Sequence, residues 1–176
     1  IGTDLSIRNA LISSDCSVLV AGSNDGRFHV WDVQSGTASC QLSSHLKTKT
    51  TAFFDRNSKL LTADRKTSSH VVWDLSTGQP IESWPGTYST NSACAFSADD
   101  RWALTLGSLQ SKGVCVLRDV ASGHEIQTNV KISQPSDVAF SSKGKLFAVS
   151  SWQGYVKICS TESLEEIVTL RDFLLS

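Results

Sequence analysis

The sequence predicts an all-β fold made of four copies of one four-stranded unit, and three observations carry that prediction. A block centred on a Trp-Asp pair recurs about every 42 residues. A second block, an apolar residue followed by polar turn formers, recurs in the same phase. Between the turns lie short segments of period-two alternation rich in β-branched residues, and none shows a helical period with caps at both ends.

The first block reads Phe28-His29-Val30-Trp31-Asp32-Val33-Gln34-Ser35-Gly36. It returns as His70-Val71-Val72-Trp73-Asp74-Leu75-Ser76-Thr77-Gly78 and as Cys115-Val116-Leu117-Arg118-Asp119-Val120-Ala121-Ser122-Gly123. A worn copy runs from Val156 to Leu164, with Cys159 at the Trp position. The anchors at 31, 73, 118 and 159 are 42, 45 and 41 residues apart. The second block begins at Ile12, Phe54, Phe96 and Phe140, each followed by turn formers such as Ser13-Ser14-Asp15 and Ser97-Ala98-Asp99.

Taken in order, repeat 1 predicts strands near residues 7–12, 17–22, 27–31 and 37–42, and repeat 3 near 92–96, 102–107, 114–118 and 125–130. Asn24-Asp25-Gly26 is a hairpin signal, because Asp-Gly tolerates the positive φ of a tight turn. Gly36, Gly78 and Gly123 close the turn after each anchor, where a residue without Cβ costs least. One four-stranded sheet cannot bury two apolar faces, so such repeats must stack side by side, and closing into a ring leaves only short edges.

These residues resemble WD repeats, the blades of a β-propeller, over essentially the whole chain. The family's Gly-His slot falls on Gly2-Thr3, Ser44-His45, Gly86-Thr87, Val130-Lys131 and Asp172-Phe173, at spacings of 42, 42, 44 and 42. The resemblance implies four consecutive four-stranded antiparallel blades over residues 1–176, with repeats at about 3–44, 45–86, 87–130 and 131–172. It also implies that they form part of a larger propeller, most often seven-bladed in the family, with the other blades supplied by the parent chain. The absence of Met leads to the same expectation. The family's buried network joins the Gly-His histidine, a second-strand hydroxyl, a turn Asp and the Trp. No repeat keeps the full set: repeat 1 retains Asp25 and Trp31, and repeat 2 retains His45 and Trp73. The blade anchors are therefore Trp31, Asp32, Asp25, His45, Trp73, Asp74 and Asp119. Trp31 and Trp73 are expected to be largely buried, and blades 3 and 4 to rely on packing alone.

Composition narrows the function. Lys+Arg number 16 against 17 Asp+Glu, so nucleic acid is not the expected partner. No apolar run approaches the roughly 18–20 residues that span a bilayer, and no membrane partner is expected. The five cysteines form no C-x-x-C pair and the four histidines no metal-ligand spacing, so neither a metal nor another cofactor is expected. Thiols without a disulfide pattern fit a cytoplasmic or nuclear protein. Asp99-Asp100 and Glu165-Glu166 are adjacent carboxylates, but catalysis would need a pocket that shifts one of their pKa values. There is no nucleophile elbow or phosphate-cradling loop, so the chain is not expected to be an enzyme.

What remains is binding. Trp152 stands in a predicted turn, Trp152-Gln153-Gly154, where deep burial is difficult, and large aromatics are enriched at binding hot spots. By the resemblance, this turn and the outward positions of first strands face the end where partners dock. The candidate docking residues are Trp152, Lys66, Arg8, Asn24 and Gln134. A basic cluster of Lys47, Lys49, Arg56, Lys59, Arg65 and Lys66 lies in repeat 2. The expected function is a non-catalytic scaffold that binds other proteins or peptides within a larger multidomain protein. The alternatives are the regulatory propeller of an ATP-dependent oligomeric switch, or the substrate receptor of a ubiquitin ligase. Gln34 and Ser76 stand where such receptors carry Arg or Lys, which weighs against the last.

Overall fold

The structure, a computed structural model, describes residues 6–23, 26–43, 50–54, 56–63, 69–84, 93–109 and 112–171. No described residue is helical. Strands β1 (Ile7–Ile12), β2 (Val18–Ser23), β3 (Phe28–Asp32) and β4 (Ala38–Leu42) pair in chain order as blade 1. Blade 2 repeats this with β5 (Thr50–Phe54), β6 (Lys59–Ala63), β7 (His70–Asp74) and β8 (Pro80–Trp84). Blade 3 holds β9 (Ala93–Phe96), β10 (Trp102–Leu109), β11 (Lys112–Asp119) and β12 (Glu125–Gln127), with β13 (Ile132–Ser133) also paired to β11. Blade 4 is β14 (Pro135–Phe140), β15 (Leu146–Ser151), β16 (Tyr155–Ser160) and β17 (Glu166–Arg171). Neighbouring strands are antiparallel throughout.

The fold class is thus the predicted one, with one local difference in blade 3. Its outer strand is split into β12 and β13. Thr128 turns both its N–H and its hydroxyl onto the Cys115 carbonyl, at 2.9 and 3.1 Å, which ends β12. The chain returns to β11 at Gly113, opposite Ile132. A Cβ at Gly113 would lie 2.5 Å from the Ile132 carbonyl oxygen, so only glycine admits this approach.

The recurring blocks are turn clamps. Ser13 Oγ accepts the N–H of Val18 at 2.9 Å and donates to Asp15 at 2.6 Å. Ser97 does the same with Trp102 and Asp99, at 2.9 and 2.5 Å. After the third strand, Asp32 accepts the hydroxyl and N–H of Ser35, and Asp119 accepts the N–H and hydroxyl of Ser122. Asp74 accepts from the Ser76 hydroxyl and N–H and from the N–H of Thr77. Hydrogen bonds to the ionised form hold Asp15, Asp32, Asp74, Asp99 and Asp119 below the usual carboxylate range. The strongest of these bonds comes from a serine hydroxyl for all but Asp119, where it comes from the Ser122 N–H.

The chain divides into two compact units, Ile1–Thr87 and Tyr88–Ser176. In the first, Val20, Phe28, Val30 and Leu42 of blade 1 pack with Leu60, Trp73 and Leu75 of blade 2. Trp73 is buried, and its indole N–H donates to Thr62 Oγ1 at 2.9 Å. Trp31 departs from the expectation, being only half-buried and outside this core. Two causes are visible. Ala21 occupies in blade 1 the register position of Thr62, so the indole has no hydroxyl there. The core of this unit forms on the opposite face of blade 1, and Trp31 lies against His29 instead, ring centres 5.6 Å apart.

In the second unit, Leu104, Leu106, Cys115 and Leu117 of blade 3 pack with Val138, Phe147, Val149 and Cys159 of blade 4. Cys159 fills the Trp position, fully buried opposite Phe147. Blade 3 corrects the expectation of packing alone. Arg118 occupies its Trp position, buried, and both its Nε and Nη2 donate to Glu125 Oε1, at 3.1 and 2.6 Å. The long alkyl stem fills the space of an indole while the guanidinium finds a carboxylate on the adjacent strand.

Candidate docking site

Blade 4 builds its site at the turn between β15 and β16. Ser151 is buried, and its hydroxyl donates to the Ser133 carbonyl at 2.5 Å. The same hydroxyl accepts the N–H of Gln153 at 3.1 Å, and the N–H of Gly154 reaches the Ser151 carbonyl at 3.1 Å. The N–H of Trp152 donates to the Gln134 carbonyl at 3.0 Å. The N–H of Ser133 donates to Tyr155 Oη at 2.9 Å, closing the set from the far side of the turn. Arg171 lies 5.5 Å above the Tyr155 ring. Gln134 has φ +47° and Gly154 φ +79°, the left-handed backbone that bends both segments toward each other.

The backbone carrying Trp152 is therefore tied at several points to the connection between β13 and β14. Its side chain is not: Trp152 is 76% exposed, more than any other exposed large apolar residue described. A rigid support beneath an exposed indole suits recognition, because little conformational entropy remains to be lost on binding.

Of the predicted docking residues, the structure brings Trp152 and Gln134 together, both exposed. Arg8 lies on β1, in the first unit. Asn24 and Lys66 lie outside the described residues, as do the anchors Asp25 and His45. Sequence reading missed Thr62, Ser133 and Tyr155. Thr62 was legible in principle, as a second-strand hydroxyl in phase with the Trp slot. The other two act only through the pairing of one blade's connection with the next blade's turn.

Nothing described at these positions resembles a catalytic centre. Asp99 is a turn clamp, and Glu166 is paired with Lys157 and accepts from Thr169. The Lys157 bond holds Glu166 below its usual range, as the Ser97 hydroxyl does Asp99. Burial pushes the thiols of Cys94 and Cys115 up to about 12 and that of Cys159 to about 11, so all three stay protonated at neutral pH. Among the described residues no three His, Cys, Asp or Glu side chains are grouped to hold a metal. Of the repeat 2 basic cluster, Arg56 and Lys59 are described, and Lys59 lies 5.9 Å from the Phe54 ring centre. Trp84 is buried against Phe54 and His70, while Trp102 is half-buried under Arg101.

The family model for the WD domain, G-beta repeat, matches residues 2–32 and 113–160. These stretches cover the first three strands of blade 1 and run from β11 through β16. Among curated proteins, Periodic tryptophan protein 2 of Arabidopsis thaliana is 27% identical over 157 residues, covering 83% of this chain and 16% of that protein. Among solved structures, the hydrazine synthase of Kuenenia stuttgartiensis superposes with a TM-score of 0.80 over 96% of this chain and 50% of its own, at 17% identity. That likeness is one of fold alone. The chain spans only a minor part of the curated relative and half of the structural one.

Proposed function

We propose that this chain, whose four-stranded blades match the WD-repeat model over two stretches, is a non-catalytic WD-repeat scaffold that docks a protein partner on the Trp152 turn of blade 4. WD-repeat propellers generally mediate protein–protein interaction. The observation that carries this reading is an indole exposed to 76% on a turn whose backbone is locked to the preceding connection. The locked turn supplies pre-organisation, and the ring supplies apolar area that a partner can desolvate.

Further blades would cover an exposed apolar sheet face in each unit. One carries Trp31 and Ile12, the latter 52% exposed. The other carries Val168 and Leu170, at 42% and 47%. Exposed sheet faces of this kind normally mark an interface.

A photoreactive benzoylphenylalanine at position 152 of the full-length protein tests the docking reading in cells. Specific protein adducts should form from position 152 and not from position 146, at the opposite end of β15. Adducts from position 146 alone would remove the Trp152 turn as the docking site.

A further inference from the structure

We infer that the partner segment seated on Trp152 is acidic, an extended peptide that combines carboxylates with an apolar side chain. The inference rests on the docking reading above and goes beyond it by assigning the chemistry of the occupant. Charge in the second unit is sorted by sheet end. At the end where β15 turns into β16, the charged side chains among the described residues are Lys112, Lys131, Arg171 and, part-way down β14, Asp137. Toward the other end lie Asp99, Asp100, Asp119, Glu125, Glu162, Glu165 and Glu166, which outnumber Arg101, Arg118, Lys143, Lys145 and the Glu166-paired Lys157.

The register places the three cations around the locked turn. Lys112 stands opposite Ser133, whose carbonyl holds the Ser151 hydroxyl. Lys131 is exposed between buried Val130 and Ile132, so its side chain is directed away from the core two residues before Ser133. Arg171 stands opposite Tyr155 and lies over its ring. Neither Lys112 nor Lys131 takes part in an ion pair among the described residues. Among the described residues at this end the one carboxylate is Asp137, which accepts the N–H of Val138 at 2.9 Å, so three cations face one anion.

A rim with cations in excess around an exposed indole attracts carboxylates over a distance of about 10 Å at ordinary ionic strength and presents apolar area at its centre. A protein segment is favoured over nucleic acid. A phosphate backbone is gripped by many cations in a row, and here there are three, one of them already stacked on Tyr155.

The test uses the full-length protein and three fluorescein-labelled probes. The first is a twelve-residue peptide alternating Glu with Leu and Phe, the second its Lys counterpart, and the third a twelve-nucleotide oligouridylate. The acidic peptide should bind at least about tenfold more tightly than either of the others, with an affinity that falls as salt rises. The double variant Lys112→Glu/Lys131→Glu should lose about tenfold at low salt and little at high salt, without a change in melting temperature. Trp152→Ala should weaken binding alike at both salts. Equal binding of the Lys peptide, equal binding of the oligouridylate, no binding of the acidic peptide, or indifference to the charge reversal would each overturn the acidic partner. Loss in Trp152→Ala with indifference to charge reversal would leave the docking reading standing while the acidic partner fell. Loss on charge reversal with none in Trp152→Ala would do the opposite.

A readout without peptide is iodide against caesium quenching. The Trp152 fluorescence, isolated by difference from Trp152→Phe, should be quenched several-fold better by iodide at low salt. Equal quenching by the two ions would contradict a cationic rim.

Discussion

In blade 2 the third-strand anchor position holds Trp73, whose indole N–H donates to Thr62 at 2.9 Å. In blade 3 the same position holds Arg118, whose guanidinium reaches Glu125 at 2.6 Å. Both side chains are buried, and both have a satisfied polar head. What the position demands is length enough to cover the sheet face and a partner for whatever polar atom arrives there. Blade 4 meets the first demand differently: short Cys159 leaves the space to Phe147 opposite. Blade 1 shows the consequence of missing the second. With Ala21 where blade 2 has Thr62, the Trp31 indole has no hydroxyl at that position.

The largest effect should come from Trp73→Ala, at about 3–5 kcal/mol, the range for deleting a buried aromatic. Trp31→Ala should cost clearly less, because Ala21 offers its indole no hydroxyl partner and the core of this unit lies on the opposite face of blade 1. Urea unfolding of the two variants measures both, and equal losses would erase the contrast between blades 1 and 2.

Arg118→Ala should cost about 1–3 kcal/mol, the scale of a charge-assisted hydrogen bond and its packing. Glu125 is 38% exposed, so its charge stays hydrated when the guanidinium is gone. The loss should shrink in 1 M salt, where screening acts within about 3 Å, whereas the loss in Trp73→Ala should not. A salt-independent loss would mean that Arg118 acts through its stem alone.

Thr62→Val keeps shape and removes the acceptor of the indole N–H, so it should cost about 1–3 kcal/mol by leaving a buried donor unpaired. A variant as stable as the parent would show that Trp73 needs only packing, as Cys159 does.

The smallest effect is a difference in acid response. Asp74 clamps the turn after β7, and Ser160 takes that place after β16, accepting the N–H of Ser163 at 3.1 Å. In the fold the Ser76 hydroxyl holds the Asp74 carboxyl below its ordinary value. Its contribution is therefore complete above the unfolded pKa of about 4 and is lost as pH falls through the lowered folded value. Asp74→Asn should flatten the dependence of stability on pH below about 4. Ser160→Ala should leave that dependence unchanged, since a hydroxyl does not titrate there.

The four-blade pattern was legible because each landmark has a local cause. Asp32, Asp74 and Asp119 clamp turns with serines two or three residues on, so the chemistry sits within the motif itself. Trp152 was legible for the same reason, as a large ring in a turn. The features that escaped depend on partners distant in sequence. Arg118 reads as a lost anchor until Glu125 is placed across from it by register. Half-burial of Trp31 depends on what the second strand offers at Ala21 and on which face of blade 1 forms the core. The split outer strand of blade 3 follows from Thr128 bonding to Cys115 and from the close approach at Gly113, which no alternation pattern announces.

The docking claim is tested most directly by the affinity of a partner recovered from the position 152 cross-link. Calorimetric titration of that partner into the full-length protein and into Trp152→Ala should show a loss of at least about 1–2 kcal/mol, roughly tenfold, on the hot-spot scale. The melting temperatures should coincide, because the Trp152 side chain is exposed and the turn is held by backbone groups and Ser151. Unchanged affinity, or a loss that merely follows a lower melting temperature, would contradict the account.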